Sequence, residues 1–273
     1  TSRNSLTGLS ARDGARRLPL RSLDAAEAVE LLGRMLGSGR VAAEADRAAE
    51  LAAACGHLPL ALRIAGAHLQ DDPQRTIGDY LDTLRDDGRL ATLAIAGDEQ
   101  SAVRITFDES YQRLPGPAAA LFRLLSLIPG PSFSTEAAAA LLDTTMSEAA
   151  HLLDRLAGAH LIERQLPDRY GIHDLLREYA AEQAQRLDPE RARAAAGRLY
   201  RLFLDGAEAA ARHVPAALRL PAPEPSGPVP SAASGIGRSG PDIAGRAAAL
   251  AWLDAERANL VGAAVSCAAE GPP

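Results

Sequence analysis

The sequence predicts a mainly α fold: a helical bundle, then a winged helix with a two-stranded wing, then a helical tail. Apolar residues make up 47% of the 273 residues and aromatic residues only 4%. Alanine and leucine dominate the apolar runs, which favours helices over sheets, and apolar side chains recur at helical spacing along most of the chain. Two short strand-like runs, at about residues 161–164 and 169–172, interrupt that pattern.

Five short amphipathic helices are predicted between residues 22 and 114, and short helices joined by short turns form a bundle. Asp24 followed by Glu27 resembles a capping box at the start of the first helix. Gly56 closes the second helix and Pro59 opens the third, because a glycine past a helix end adopts the left-handed conformation and proline tolerates the first helical turn. The predicted helices cover about residues 23–37, 42–55, 59–70, 76–85 and 98–114.

The elbow from Gly56 to Pro59 has two interpretations. On geometry alone it is an ordinary helix–helix turn. Free N–H groups and the helix dipole also make the start of a helix favourable for negative charge such as phosphate.

Residues 115–190 predict a second module, in which helices precede a hairpin of two strands. Thr145 and Glu148 form a capping box for the helix before the hairpin. Three helices followed by a two-stranded wing are typical of a winged helix. The three helices cover about residues 118–127, 134–142 and 146–157.

A winged helix raises the alternative of direct DNA binding, which the charges make the weaker interpretation. The candidate recognition helix, residues 146–157, has two acidic residues and one basic residue, for a net charge of −1. DNA readers need Arg, Lys, Asn or Gln on that face, and the net charge of −6 for the chain also argues against a protein that coats nucleic acid. The alternative stays open because of Arg164 and Arg169 on the hairpin and Arg177 after it.

The C-terminal third predicts two helices joined by a linker. A helix over 191–213 is followed by a Pro- and Gly-rich linker over 214–244, and a last helix covers 245–273. Residues Gly235 to Gly240 match G-x-G-x-x-G, but no strand precedes them and Pro241 follows where a helix should begin, so a dinucleotide site is rejected.

The sequence predicts no catalytic residue and no metal site. All 29 basic residues are arginine, so a phosphate loop with its lysine is impossible, and G-x-S-x-G, H-E-x-x-H and C-x-x-C are absent. No apolar run reaches the roughly 20 residues of a membrane span, and the N-terminus does not resemble a signal peptide. We therefore expect a cytoplasmic protein with no membrane partner.

Three separated stretches resemble motifs of the NB-ARC proteins, which are STAND-class signal-transducing ATPases. Thr1-Ser2-Arg3 resembles their sensor motif, Gly56-His57-Leu58-Pro59-Leu60-Ala61-Leu62 their G-x-P-L-type motif, and Ile172-His173-Asp174 their M-H-D motif at the end of a winged helix. The resemblance covers residues 1–190. It implies that residues 1–21 are the tail end of a nucleotide-binding domain, that 22–114 are ARC1-like and that 115–190 are ARC2-like.

The tail extends the resemblance to one branch of that family. Residues 251–260, A-W-L-D-A-E-R-A-N-L, resemble the segment that precedes tetratricopeptide (TPR) repeats in AfsR-type bacterial regulators of antibiotic pathways. The chain would then be a middle fragment. Its partners would be an upstream nucleotide-binding domain and downstream TPR-like repeats of the same chain, with DNA bound only through a separate domain.

The resemblance also implies roles for single residues. Arg3 would contact the γ-phosphate of ATP, Pro59 would pack on adenine or line its pocket, and His173 would hold the β-phosphate of ADP. Asp174 would fix that histidine or its loop. Leu58 would support the switch. On position alone, His173 is a helix cap or a core residue.

The implied cofactor is ATP or ADP with Mg²⁺ in the intact protein. Ile172 replaces the methionine of the motif, and the phosphate loop and the Mg²⁺-binding acid are missing. The fragment is therefore not expected to hold a nucleotide firmly or to be an enzyme by itself, whereas the intact parent would be a slow ATPase.

The function implied is the regulatory switch part of an ATP/ADP-dependent transcriptional regulator that controls secondary metabolism. A homo-oligomer on activation is part of this expectation. Two alternatives remain: a winged-helix module that binds DNA directly, and an NB-ARC–TPR signalling ATPase unrelated to transcription.

Overall fold

The N-terminal half consists of short helices around an apolar core. The computed structural model describes residues 12–13, 22–86, 88–93, 103–214 and 243–271. The first helix begins at the predicted capping box, in which the Asp24 carboxylate accepts from the Glu27 N–H and the Glu27 carboxylate accepts from the Asp24 N–H. Helices α1 to α7 span Ala25–Leu36, Ser38–Ala43, Ala45–Ala54, Pro59–Asp71, Ile77–Asp86, Arg89–Thr92 and Val103–Gln112.

The predicted second helix is two helices, α2 and α3, which meet at Glu44. The backbone of Glu44 leaves the helical region, with φ −127° and ψ 45°. Its carboxylate accepts from the N–H groups of Ile77 and Gly78, at 3.1 and 3.0 Å, and so caps the start of α5. This cap joins groups 33 and 34 residues apart, so local spacing could not predict it.

The second half contains more helices and a small antiparallel sheet. The strand order is β1-β3-β2, with β3 in the centre. The elements are α8 Gly116–Leu124, a 3-10 turn Leu125–Leu127, β1 Ser132–Ser134, α9 Thr135–Leu142, α10 Met146–Gly158, β2 Glu163–Leu166, β3 Arg169–Gly171, α11 Asp174–Ala184, α12 Pro189–Ala211 and α13 Arg246–Glu270.

The prediction of a mainly α fold with a small wing is confirmed: β2 and β3 form the predicted hairpin, and a third strand, β1, which was not predicted, pairs with β3. The missing strand, β1, has three residues between a Pro-Gly-Pro run and the next helix, too few for an alternating pattern. Pairing with β3 defines it: Phe133 lies opposite Tyr170, and their rings stack with centroids 6.1 Å apart. This segment is a strand because it pairs with β3, and no local sequence signal marks it as one.

Helix α11 packs against the N-terminal helices through an aromatic cluster. Tyr179 of α11 contacts Phe107 and Tyr111 of α7 and Phe122 of α8, with ring centroids 5.8 to 6.1 Å apart. The Tyr179 hydroxyl donates to the Asp108 carboxylate. The pKa of the Tyr179 hydroxyl is raised, mainly by burial and next by this carboxylate. These contacts orient α11 relative to the bundle.

The C-terminal helices pack against the module that contains the sheet. Arg198 of α12 donates to the carbonyls of Ala140 and Leu141 at the end of α9, at 2.8 and 2.7 Å, and α13 packs on α12. The predicted linker and the Gly235–Gly240 motif lie outside the described residues, as do residues 98–102 of the predicted fifth helix. In the described part of the chain, no helix has the length and hydropathy needed to cross a bilayer.

The carboxyl group of Glu136, in the first turn of α9, has a pKa raised above its ordinary value. Burial is the largest cause, followed by the charges of Glu256 and Asp168. Because the folded state holds the proton more tightly than the unfolded state, ionisation destabilises the fold. This penalty is absent below the ordinary glutamate pKa of about 4.3 and grows as the pH rises through the folded-state value.

We predict that Glu136→Gln raises the Tm by about 1–4 °C at pH 7, the shift expected for up to about 1 kcal/mol in a chain of this size. The gain should disappear near pH 3, where the carboxyl group is protonated in both states. Calorimetry at both pH values measures this. Glu190→Gln, an exposed first-turn glutamate of α12, is the matched control, and a lower Tm at pH 7 for Glu136→Gln would contradict the prediction.

Candidate functional site

The predicted elbow between α3 and α4 is confirmed. Gly56 has φ +61° and His57 has φ +55°, so two consecutive residues are left-handed. The Gly56 N–H donates to Ala53 O at 2.8 Å and the His57 N–H donates to Ala52 O at 3.0 Å. These two bonds form a Schellman motif, which satisfies the last carbonyls of α3, and Pro59 is the first residue of α4.

The elbow also binds the segment that precedes the first helix of the bundle. The carbonyl of His57 accepts from the Leu23 N–H at 3.0 Å, just before α1 begins. A left-handed conformation is uncommon for a residue with a side chain, so His57 is held there by the bonds on both sides of it.

His173 is the cap of α11 and reaches the elbow with the same ring. Its Nδ1 accepts from the Leu175 N–H at 3.2 Å, and its Nε2 lies 2.7 Å from Gly56 O. Because Nδ1 is an acceptor, the neutral ring carries its proton on Nε2 and donates it to the carbonyl. One half-buried side chain therefore joins two stretches that lie 117 residues apart.

Gly56 is required for this contact as well as for the turn. A Cβ atom at position 56 would lie 1.9 Å from Cε1 and 2.3 Å from Nε2 of His173. From local spacing, Gly56 was expected to act as a helix terminator. Its second role depends on a long-range contact, and the only signal for it was the resemblance of both stretches to motifs of one site.

The other predicted site residues lie at different positions around the elbow. Pro59 is exposed at the start of α4, and Leu58 is half-buried against the apolar core. Asp174 is exposed, and among the described residues it makes no hydrogen bond to the His173 ring, which the Leu175 N–H orients instead. Arg3 lies outside the described residues, so its role stays a prediction.

The elbow combines a buried thiol with exposed apolar side chains. Cys55 is buried, and burial raises the pKa of its thiol to about 12, with Arg89 opposing, so it is an inert structural thiol. Leu60, next to the exposed Pro59, has 40% of its surface exposed. Among the described residues, no group of three His, Cys, Asp or Glu side chains could hold a metal ion.

The three arginines that kept DNA binding open have partners within the protein. Arg164 pairs with Asp154 and lies over the Tyr170 ring at 5.2 Å. Arg169 pairs with Glu256 of α13. Arg177 donates to the backbone carbonyls at positions 128 and 130, and burial lowers its pKa.

Comparison with known proteins gives a clear relationship. The chain is 37% identical over 262 residues to the regulatory protein AfsR of Streptomyces griseus, an alignment that covers 95% of the chain and 26% of that protein. It is also 37% identical over 196 residues to the regulatory protein AfsR of Streptomyces coelicolor, covering 70% of the chain and 20% of that protein. No protein-family model matches the chain.

The chain thus spans about a quarter of the length of the curated relatives that it matches. Over 70% to 95% of its own length, the chain is thus similar to one part of the AfsR-type regulatory proteins.

Proposed function

We propose that the chain is the regulatory switch part of an ATP/ADP-dependent transcriptional regulator that controls secondary metabolism. In this proposal it relays the nucleotide state of an NB-ARC-type domain to a DNA-binding module outside the chain. The observation that carries the proposal is the bond from His173 Nε2 to Gly56 O, which unites the two motif-like stretches at one point. Similarity to two proteins named AfsR supports a regulator rather than a classical enzyme.

The residues at the elbow fit part of a nucleotide site. Exposed Pro59 and Leu60 offer apolar surface for a base at the start of α4, where the helix dipole favours negative charge. His173 offers one ring N–H. ADP would supply a negatively charged phosphate oxygen as its acceptor. The phosphate-cradling residues are not among those described, so these groups would form one wall of the site.

In this proposal the wall has two states, which differ in the group that accepts the His173 Nε2–H. Its Nδ1 is used by the helix cap, so Nε2–H is the one donor of the neutral ring. That donor serves the Gly56 carbonyl in the structure. If the Nε2–H donated to a phosphate oxygen instead, the hydrogen bond that joins the start of α11 to the bundle at Gly56 would be lost. We propose that this exchange of acceptors transmits the nucleotide state to α11 and the sheet next to it.

The size of the effect shows that His173 cannot act alone. A hydrogen bond to a charged group contributes about 1.5–3 kcal/mol, whereas moving a switch from 1:99 to 99:1 requires about 5.5 kcal/mol of differential binding. Other contacts between α11 and the bundle must change as well. Candidates are the ion pair from Arg89 to Glu178, at 2.8 Å, and the bond from Tyr179 to Asp108.

We predict that His173→Asn in the full-length regulator accelerates ADP loss by about 10- to 100-fold, the factor that corresponds to one charge-assisted hydrogen bond, and raises basal transcription. Asparagine keeps a good N-cap for α11 but is too short to replace the distal ring nitrogen. ADP that co-purifies with the protein and a reporter gene measure the two effects. His151→Asn, an exposed histidine of α10, is the control, and unchanged ADP content with unchanged transcription would refute the assignment.

Direct DNA binding can be tested separately with the 273-residue chain. Because Arg164, Arg169 and Arg177 are already paired, we predict no shift of duplex DNA at low-micromolar protein in 50 mM salt. A gel-shift series from 50 to 200 mM salt measures this. A shifted band whose affinity falls steeply with salt, as counterion release requires, would establish the DNA-binding alternative instead.

A further inference from the structure

The last helix, α13, is bound to the wing by buried polar groups. Glu256 is 3% exposed and Asn259 is 1% exposed, and the Asn259 amide donates to the Glu256 carboxylate. Arg169 of β3 pairs with Glu256 and also donates to the carbonyl of Ala255, at 2.7 Å. We call Arg169, Glu256 and Asn259 the polar clasp.

Apolar contacts and hydrogen bonds both hold α13. In the part of α13 that the structure describes, the buried apolar side chains are those of Ala249 and Ala263, whereas Val261 and Val265 are 59% and 63% exposed. Trp252 is half-buried and packs against Gly206 of α12, and Leu260 is partly buried against the core. Because no large apolar side chain of this helix is fully buried, we expect the polar clasp to contribute a substantial share of the docking.

The polar clasp binds the backbone next to the sheet. The Gly130 N–H donates to Asn259 Oδ1 at 2.8 Å, and Asn259 Nδ2 donates to Ser132 O at 3.0 Å. A Cβ atom at position 130 would lie 2.3 Å from Asn259 Oδ1, so the glycine is needed for the helix to approach.

The other backbone group of Gly130 is bound by α11. The Gly130 carbonyl accepts from Arg177 Nη2 at 2.6 Å, and Arg177 also donates to Ile128 O. Arg177 lies one turn into the helix that His173 caps, and its own N–H donates to the His173 carbonyl at 2.8 Å. A continuous series of hydrogen bonds therefore runs from Asn259 through Gly130 and Arg177 to His173, and from there to Gly56.

We infer that the docking of α13 is coupled to the His173–Gly56 contact through the two backbone groups of Gly130. A released α13 frees the Gly130 N–H, which loosens the segment that anchors Arg177 and hence the start of α11. By thermodynamic reciprocity, loss of the His173–Gly56 bond favours release of α13. The regulatory meaning of this coupling rests on the proposed function, but its existence does not depend on any nucleotide.

A double-mutant cycle followed by amide hydrogen exchange tests the coupling in the 273-residue chain. We expect His173→Asn to raise the opening constant of α13, relative to core amides of α4, by at least about fivefold. In the Asn259→Ala background, His173→Asn should raise the opening constant of α13 by less than about twofold, because the contact between Asn259 and Gly130 is already absent. Emission of Trp252, the single tryptophan of the chain, reports docking independently.

Matched controls separate the coupling from a general loss of stability. His151→Asn and Asp254→Asn change exposed residues of α10 and α13 and should leave the opening of α13 unchanged. If Asn259→Ala does not fold, Glu256→Gln takes its place in the cycle. An equal effect of His173→Asn in both backgrounds, or no effect on α13, would overturn the inference. The ADP assay tests the proposed function separately, since no nucleotide is added here.

Discussion

The structure depends on the close approach of the His173 ring to the carbonyl of Gly56. Only a residue without a side chain can adopt φ +61° at position 56 at low cost and leave room for the ring. This contact fixes where α11 begins relative to the bundle. Further along α11, the aromatic cluster around Tyr179 and the ion pair between Arg89 and Glu178 orient the helix.

The hydrogen bonds at Gly56 and at α13 differ in kind from the apolar packing of the cores. The bundle and the helices of the wing share a core of fully buried leucine, isoleucine, alanine and aromatic side chains, and such packing resists deformation. The bond at Gly56 and the polar clasp at α13 are made by hydrogen bonds to backbone groups. A hydrogen bond can be exchanged for another at small net cost, so these two places are where the molecule can change state while its cores stay packed.

The sequence predicted the helices because their ends carry local signals. The capping box of Asp24 and Glu27 and the proline that starts α4 gave boundaries close to those observed. It could not predict β1, the break at Glu44 or the burial of Glu256 and Asn259, because each depends on groups far away in the chain. Polar residues on an amphipathic helix are expected to face solvent. For the site, resemblance supplied Pro59 and His173, while the partnership of His173 with Gly56 required the structure.

In the 273-residue chain, His173 donates Nε2–H to Gly56 O and accepts at Nδ1. The most direct measurement of these two bonds is long-range ¹H–¹⁵N NMR of the chain labelled at histidine nitrogens, with His173 assigned by the signals lost in His173→Asn. We predict a neutral ring with a protonated Nε2 and an unprotonated Nδ1. A ring protonated at Nδ1 could not cap α11 through Leu175 while donating to Gly56, and this result would contradict the proposed role of His173.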